Sequence, residues 1–266
     1  MRNDNNTFAV VTGAGSGIGR AVAIELSKDA VTVLAVGRRA APLEETAAMA
    51  PGKVLTLGAD VGTESGRSTI VKTFGECTKV KYLVHAAGIF PIERLTDITA
   101  ASWRQAMATN LDARLFLTQA LIPKLTDGGR VLFVGSMSAS KARKGSTAYC
   151  TSLAASFMLH QCLKLELADR DIRVTSAIPG PVNTTMLQHG MAADSDVFPD
   201  STEYDGLRRA GKLIEPTTVA RFYRWLLTKT DDEIYTAHQW DIRDESHHKA
   251  WLATGALYAG GARRGQ

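Results

Sequence analysis

Thr12-Gly13-Ala14-Gly15-Ser16-Gly17-Ile18-Gly19 decides how the rest of this chain is read. An apolar run, Phe8-Ala-Val-Val11, precedes it, and a helical pattern, Ala21-Val-Ala-Ile-Glu-Leu26, follows it. Strand, glycine-rich turn and helix in that order make a phosphate cradle. Glycines let the backbone approach a pyrophosphate, and the free N–H groups and dipole at the helix start favour the anion. Gly13 and Gly15 begin like G-x-G-x-x-G, but Ile18 stands where its third glycine belongs. The spacing that fits is G-x-x-x-G-x-G, through Gly13, Gly17 and Gly19. Alone, such a cluster also describes a plain turn. Its place between strand and helix favours the cradle.

Outward from the cradle, Val31-Thr-Val-Leu-Ala-Val36 reads as a second buried strand, β-branched and almost wholly apolar. Dinucleotide folds often end this strand in an acid that binds the adenosine ribose, but here Gly37-Arg38-Arg39 follows. An acid repels a 2′-phosphate, whereas a guanidinium pairs with it bidentately. Arg38 therefore favours NADP(H), with NAD(H) still admissible. The competing reading is a solvated arginine pair that stacks on adenine.

Pro42 to Met49 suits a helix opened by proline. Val54–Leu57 forms a third strand ending at Asp60-Val61, Gly66 to Cys77 a helix, and Tyr82–His85 a fourth strand running into Ala86-Ala87-Gly88. Trp103 to Leu125 reads as a long helix containing Asn110. Arg130 to Gly135 is a fifth strand, Thr147 to Ala168 a long helix, and Arg173 to Ile178 a sixth strand before Pro179-Gly180-Pro181. This alternation predicts an α/β fold, a doubly wound parallel sheet of the Rossmann type with helices on both faces, in one domain spanning 1–266. Thr184 to Leu213 is polar with scattered Met, Phe and Tyr, and is expected as a lid-like segment over the crevice at the strands' carboxyl ends. Thr217 to Leu227 resumes a helix, and the tail from Gln239 has no clear period.

Composition narrows the class. A chain of 266 residues with 45% hydrophobic and 22% charged residues is that of an ordinary water-soluble globule. No apolar run approaches the ~20 residues of a membrane span. Met1-Arg-Asn-Asp-Asn-Asn has no apolar signal core, against export. The net charge of +4 is carried partly by short pairs, Arg38-Arg39, Arg208-Arg209 and Arg263-Arg264, without a basic stripe, so no nucleic-acid partner is expected. Cys77, Cys150 and Cys162 are odd in number and lack C-x-x-C spacing; buried thiols in a reducing cytoplasm are the expectation. His247-His248 diverge in either helix or strand and have no completing ligands, so no metal is expected. His160 and Cys162 read as packing or subunit-interface residues.

Taken together, the landmarks resemble those of the short-chain dehydrogenase/reductase family, in the family's order, over residues 7 to 230. The resemblance assigns Thr12–Gly19, with Gly13, Ser16, Gly17, Ile18 and Gly19, to the pyrophosphate. Asp60 and Val61 go to the adenine pocket, Ala87 and Gly88 to the segment under the cofactor, and Pro179, Gly180 and Thr184 to the nicotinamide-side loop. It assigns Ser136, Tyr149 and Asn110 to catalysis: tyrosine exchanging a proton with substrate oxygen, serine orienting that oxygen, and asparagine in a proton relay. Read as residues alone, Ser136 and Tyr149 are also ordinary helix-start polar groups. The implied reaction interconverts a small-molecule carbonyl and alcohol, in a homodimer or homotetramer joined through helices 103–125 and 147–168.

Three departures stand out. The family's Asn-Asn-Ala-Gly is His85-Ala86-Ala87-Gly88, and its C-terminal half-strand with paired glycines is not recognisable. Its Tyr-x-x-x-Lys is Tyr149-Cys-Thr-Ser-Leu153. One turn along a helix, lysine would favour phenolate and bind the nicotinamide ribose; leucine does neither. A bias toward reduction follows, since a donor phenol needs no help to hold its proton. Lys141, Arg143 and Lys144 are either a replacement cation or a solvated loop. The alternative function is a catalytically impaired dinucleotide-binding protein acting as sensor or structural subunit.

Overall fold

The computed structural model describes residues 7–29, 31–75, 78–252 and 257–258. Met1–Asn6, Cys77 and Arg263-Arg264 lie outside them. The chain opens with β1 (Thr7–Thr12), α1 (Gly17–Leu26), β2 (Thr32–Gly37), α2 (Ala40–Ala48), β3 (Val54–Gly58), α3 (Glu64–Lys72) and β4 (Lys79–His85). It continues through α4 (Ala100–Met107), a π-helical turn (Ala108–Asp112), α5 (Ala113–Leu121), β5 (Leu125–Val134), α6 (Thr147–Glu166) and β6 (Ile172–Ile178). Last come α7 (Thr185–Met191), α8 (Asp200–Arg209), α9 (Pro216–Lys229), α10 (Asp232–Thr236), β7 (Trp240–Asp241) and α11 (His248–Trp251). Seven parallel strands line up as β3-β2-β1-β4-β5-β6-β7. That is the doubly wound sheet expected from the alternation.

Strand alternation sends neighbouring side chains to opposite faces. Ala9, Val11, Val33 and Ala35 pack with Leu26 of α1 and Phe222 and Leu226 of α9. Val10, Leu34, Val36 and Leu83 pack with Ile70 of α3, Leu117 and Leu121 of α5, and Leu163 of α6. Both faces are dry, which is why these strands read as near-continuous apolar runs. Among the described residues no helix is long and apolar enough to cross a membrane.

Three expectations are corrected. The helix expected over Trp103 to Leu125 is two helices joined by the π-helical turn that holds Asn110; the asparagine's bonds to a neighbouring segment compete there with regular winding. The tail does contain a strand: β7 pairs Trp240 and Asp241 with Ala177 and Ile178 of β6. Two residues are too few to show a period. The segment 184–213, expected as lid-like, contains α7 and α8. The described thiols are not buried: Cys150 is half-buried and Cys162 exposed on the outward side of α6, whereas His160 on the same helix is packed inside.

Candidate active site

The carboxyl ends of β1, β2, β4, β5 and β6 meet at one cleft of about 410 Å³. Gly13, Ser16, Gly17, Ile18, Gly19, Arg38, Asp60, Val61, Ala87, Gly88, Asn110, Ser136, Tyr149, Pro179, Gly180 and Thr184 all line it. Residues more than 160 positions apart in the chain are brought together because every parallel crossover returns the next strand's end to the same edge of the sheet.

The cradle end is shaped by the protein's own packing. Gly13 has φ +69°, and a Cβ there would stand 2.8 Å from the Ala86 carbonyl oxygen; one on Gly19 would stand 2.3 Å from the Gly13 oxygen. The turn is thus pressed against residues 86–87, which also donate both backbone N–H groups to Thr12 Oγ1 at 3.1 Å. With the turn held, the first residues of α1 open on the cleft, where helix-start N–H groups suit a phosphate. Arg38 and Arg39 are exposed at the rim, and among the described residues neither has an ion-pair partner. This donor set fits the pyrophosphate end of a dinucleotide. Thr184 lines the far wall, its Oγ1 accepting the Leu187 N–H at 3.3 Å to cap α7.

The other end gathers Ser136, Tyr149, Leu153 and Asn110. Ser136 Oγ accepts the Ser138 N–H at 3.1 Å just beyond β5. Tyr149, in the first turn of α6, rests its ring 4.6 Å from that of Phe90. Burial pushes its phenol pKa up; the Ser136 hydroxyl, then the guanidinium groups of Arg114 and Arg143, pull it down. Asn110 is fully buried, and its amide is spent within the protein. Oδ1 accepts from Ile89 N at 2.9 Å, and Nδ2 donates to Ile89 O and Ser152 Oγ, both at 3.0 Å. Leu153, almost wholly buried, forms an apolar wall of the same cleft.

Lys141 and Lys144 are exposed, as a solvated loop would have them. Arg143 is not. It faces the cleft, donates to Ser138 Oγ at 3.1 Å, pairs with Asp200 and lies 5.5 Å from the Tyr204 ring centre. Sequence reasoning also missed Arg114 of α5, which lines the cleft with only 5% of its surface exposed. An arginine at an inward helical position among Ala113, Leu117 and Leu121 was the available signal. His85 is buried, 2.8 Å from Thr118 Oγ1, and burial first and Arg114 second lower its pKa to about 3. His247 and His248 are bound to the carbonyls of Asp241 and Ile242 at 2.9 and 2.7 Å. Among the described residues no group of three or more metal-ligating side chains gathers.

A glycine cradle facing a serine and a tyrosine across the carboxyl edge of a parallel sheet defines a dinucleotide-binding oxidoreductase site. The profile of the short chain dehydrogenase family matches residues 7–194. An uncharacterized oxidoreductase of Staphylococcus haemolyticus (strain JCSC1435) is 32% identical over 192 residues, covering 71% of this chain and 83% of its own. One of Staphylococcus aureus (strain N315) is 31% identical over 186 residues, covering 67% and 79%. Among solved structures, the KRED1-Pglu enzyme superposes with a TM-score of 0.78 at 27% identity, covering 88% of this chain and 99% of its own. A short-chain dehydrogenase/reductase from Saccharomyces cerevisiae, at 22% identity and a TM-score of 0.81 over 90% of this chain and 97% of its own, shares the fold. The chain belongs to the short-chain dehydrogenase/reductase family and is an oxidoreductase of it, a family whose cofactor is NAD(P)(H).

Proposed function

We propose that this chain is an NADP(H)-preferring oxidoreductase that interconverts a small-molecule carbonyl and alcohol, with a bias toward reduction. The observation that carries the reading is the meeting of Ser136 and Tyr149 with the glycine cradle in one cleft. When bound, the nicotinamide cofactor supplies or takes up the hydride at the substrate carbon. In reduction Tyr149 gives its phenolic proton to the carbonyl oxygen, and the Ser136 hydroxyl donates a hydrogen bond to that oxygen. Asn110, the asparagine of the proton relay in the family pattern, also holds residues 89 and 152 in place through its amide. The raised pKa of Tyr149 keeps it protonated at neutral pH, which suits a donor and handicaps a base. Arg38 and Arg39, unpaired by any described acid, support the 2′-phosphate preference.

Self-association through α5 and α6 is part of this reading. Phe116, Met158 and Leu165 are exposed on those helices, apolar surface that a second copy would cover. Activity is tested with NADPH against a panel of ketones and aldehydes. Wild type is expected to turn over at least one of them, and Tyr149→Phe to lose nearly all turnover while still binding NADPH, since phenyl fills almost the same space. Activity of Tyr149→Phe within a few-fold of wild type would remove Tyr149 from the reaction. Cofactor binding without turnover on any carbonyl would instead favour the non-catalytic reading.

A further inference from the structure

Leu153 leaves the tyrosine without the lysine of the family pattern, yet a buried cation stands nearby. Arg114 projects from α5 into the same cleft as Tyr149, Ser136 and Leu153. With Ser136 and Leu153 it also borders a small void of about 10 Å³, so these three side chains surround a common space. Its Nη1 donates to Val134 O at 3.1 Å and Ser156 Oγ at 2.9 Å, and its guanidinium lies 5.6 Å from the Phe133 ring centre. Among the described residues no acid pairs with it, and its Nε is buried without a hydrogen-bond partner. A buried guanidinium without a counterion is costly.

Its neighbours respond to that charge. Burial pushes Arg114 down to about 10, leaving it cationic at neutral pH. Burial is what chiefly keeps His85 and His160 neutral, and Arg114 adds to it; against burial, Arg114 pulls the phenols of Tyr149 and Tyr223 downward. Tyr223 is spent donating to Ala177 O at 2.8 Å and does not line the cleft. The remaining groups that face Tyr149 are Ser136, Cys150, Arg143 and Tyr204. Arg143 has Asp200 as its counterion, which offsets its field. Lys141 and Lys144 are turned to solvent.

Resting on the proposed role of Tyr149, we propose that Arg114 supplies from α5 the positive charge that the family pattern places four residues after the tyrosine. It acts through Tyr149 as a positioning and electrostatic partner. In reduction it stabilises the phenolate left behind when the proton is given up; in oxidation it stabilises the phenolate that accepts one. Leu153 can then be apolar, because a second cation beside Arg114 would be repelled by it.

The test is a titration of the apo protein. Tyrosinate absorbance of wild type minus that of Tyr149→Phe isolates the Tyr149 phenol. Read on the rising edge of that titration between pH 8 and pH 9, where Arg114 is still cationic, Tyr149 is expected to ionise about one pH unit higher in Arg114→Met and nearly in place in Arg114→Lys. Arg114→Met combined with Leu153→Lys is expected to bring it back down. Below the midpoint, alcohol oxidation at fixed pH should fall about tenfold per unit of rise. A rising edge unmoved between pH 8 and pH 9 in Arg114→Met would overturn the proposal and leave Arg114 a strut between β5 and α6. Should Arg114→Met fail to fold, carbon-detected NMR of the Arg114 guanidinium in wild type decides. Its Nε shift is expected to follow the ionisation of Tyr149 and to lose that step in Tyr149→Phe; a flat profile would overturn the proposal equally. Neither measurement needs a substrate, so an inactive wild type would sink the proposed activity and still leave the Arg114 result readable.

Discussion

Arg38 stands at the exposed rim of the cleft, on the residue after β2, where a carboxylate would bind ribose hydroxyls. Asp60, an acid of the cleft wall, has Oδ1 engaged at 2.9 Å with the Gly62 N–H in the turn after β3. The exposed, unpaired cation at the rim is what the proposed preference for a 2′-phosphate rests on. Arg38→Ala is expected to cost NADPH about 1–3 kcal/mol of binding, the scale of a charge-assisted hydrogen bond, and to leave NADH nearly untouched. Calorimetric titration of both cofactors checks it. Equal affinities in wild type would end the preference.

Helices α7 and α8 form one wall of the cleft, through Thr185, Met186 and Leu187 of the first and Glu203, Tyr204 and Leu207 of the second. Arg143 ties α8 to the Ser136 side of the cleft. Arg143, between β5 and α6, is bound at once to Ser138 and to Asp200, the first residue of α8, with side chains 9% and 23% exposed. A partly buried charged hydrogen bond of this kind contributes about 1–3 kcal/mol. Asp200→Asn should therefore loosen α8 and speed its amide exchange by roughly 5- to 150-fold, with KM for the carbonyl rising more than kcat falls. Exchange at residues 200–209 unchanged from wild type would show that apolar contacts alone hold this wall.

Across the whole molecule, buried neutral histidines couple stability to acid. His85 and His160 are 2% and 3% exposed, and burial lowers their pKa values from 6.5 to about 3 and about 4. The unfolded chain binds protons at these sites below pH 6.5, whereas the fold refuses them until pH 3 to 4. Stability from keeping the rings neutral is thus complete above the unfolded value and drains away as pH falls through this window. Each ring contributes a slope of about 1.4 kcal/mol per pH unit. His85→Asn, the residue of the family pattern at that position, should remove one such slope. Urea unfolding between pH 7 and pH 4 measures it, and a stability curve parallel to that of wild type would contradict the assignment.

What the sequence determined by itself was everything encoded over short distances. The turn Thr12–Gly19 needs glycine where φ is positive or the backbone is crowded, and the strands β1, β2, β4 and β6 announce themselves as apolar runs because both faces are covered. From those runs the parallel sheet follows, and its carboxyl edge predicts that Ser136, Tyr149 and the cradle share a cleft. Tertiary structure alone decided the rest. The π-helical turn at Asn110 depends on Ile89, 21 residues earlier, and β7 exists only because two residues find the free edge of β6. Arg143 turns inward because α8 offers Asp200, 57 positions on, and Arg114 comes to line the same cleft as Tyr149 because it reaches Val134 of β5 and Ser156 of α6. Charge and hydrogen bonding act through space, so a cation missing one helical turn from the tyrosine says nothing about one arriving from another helix.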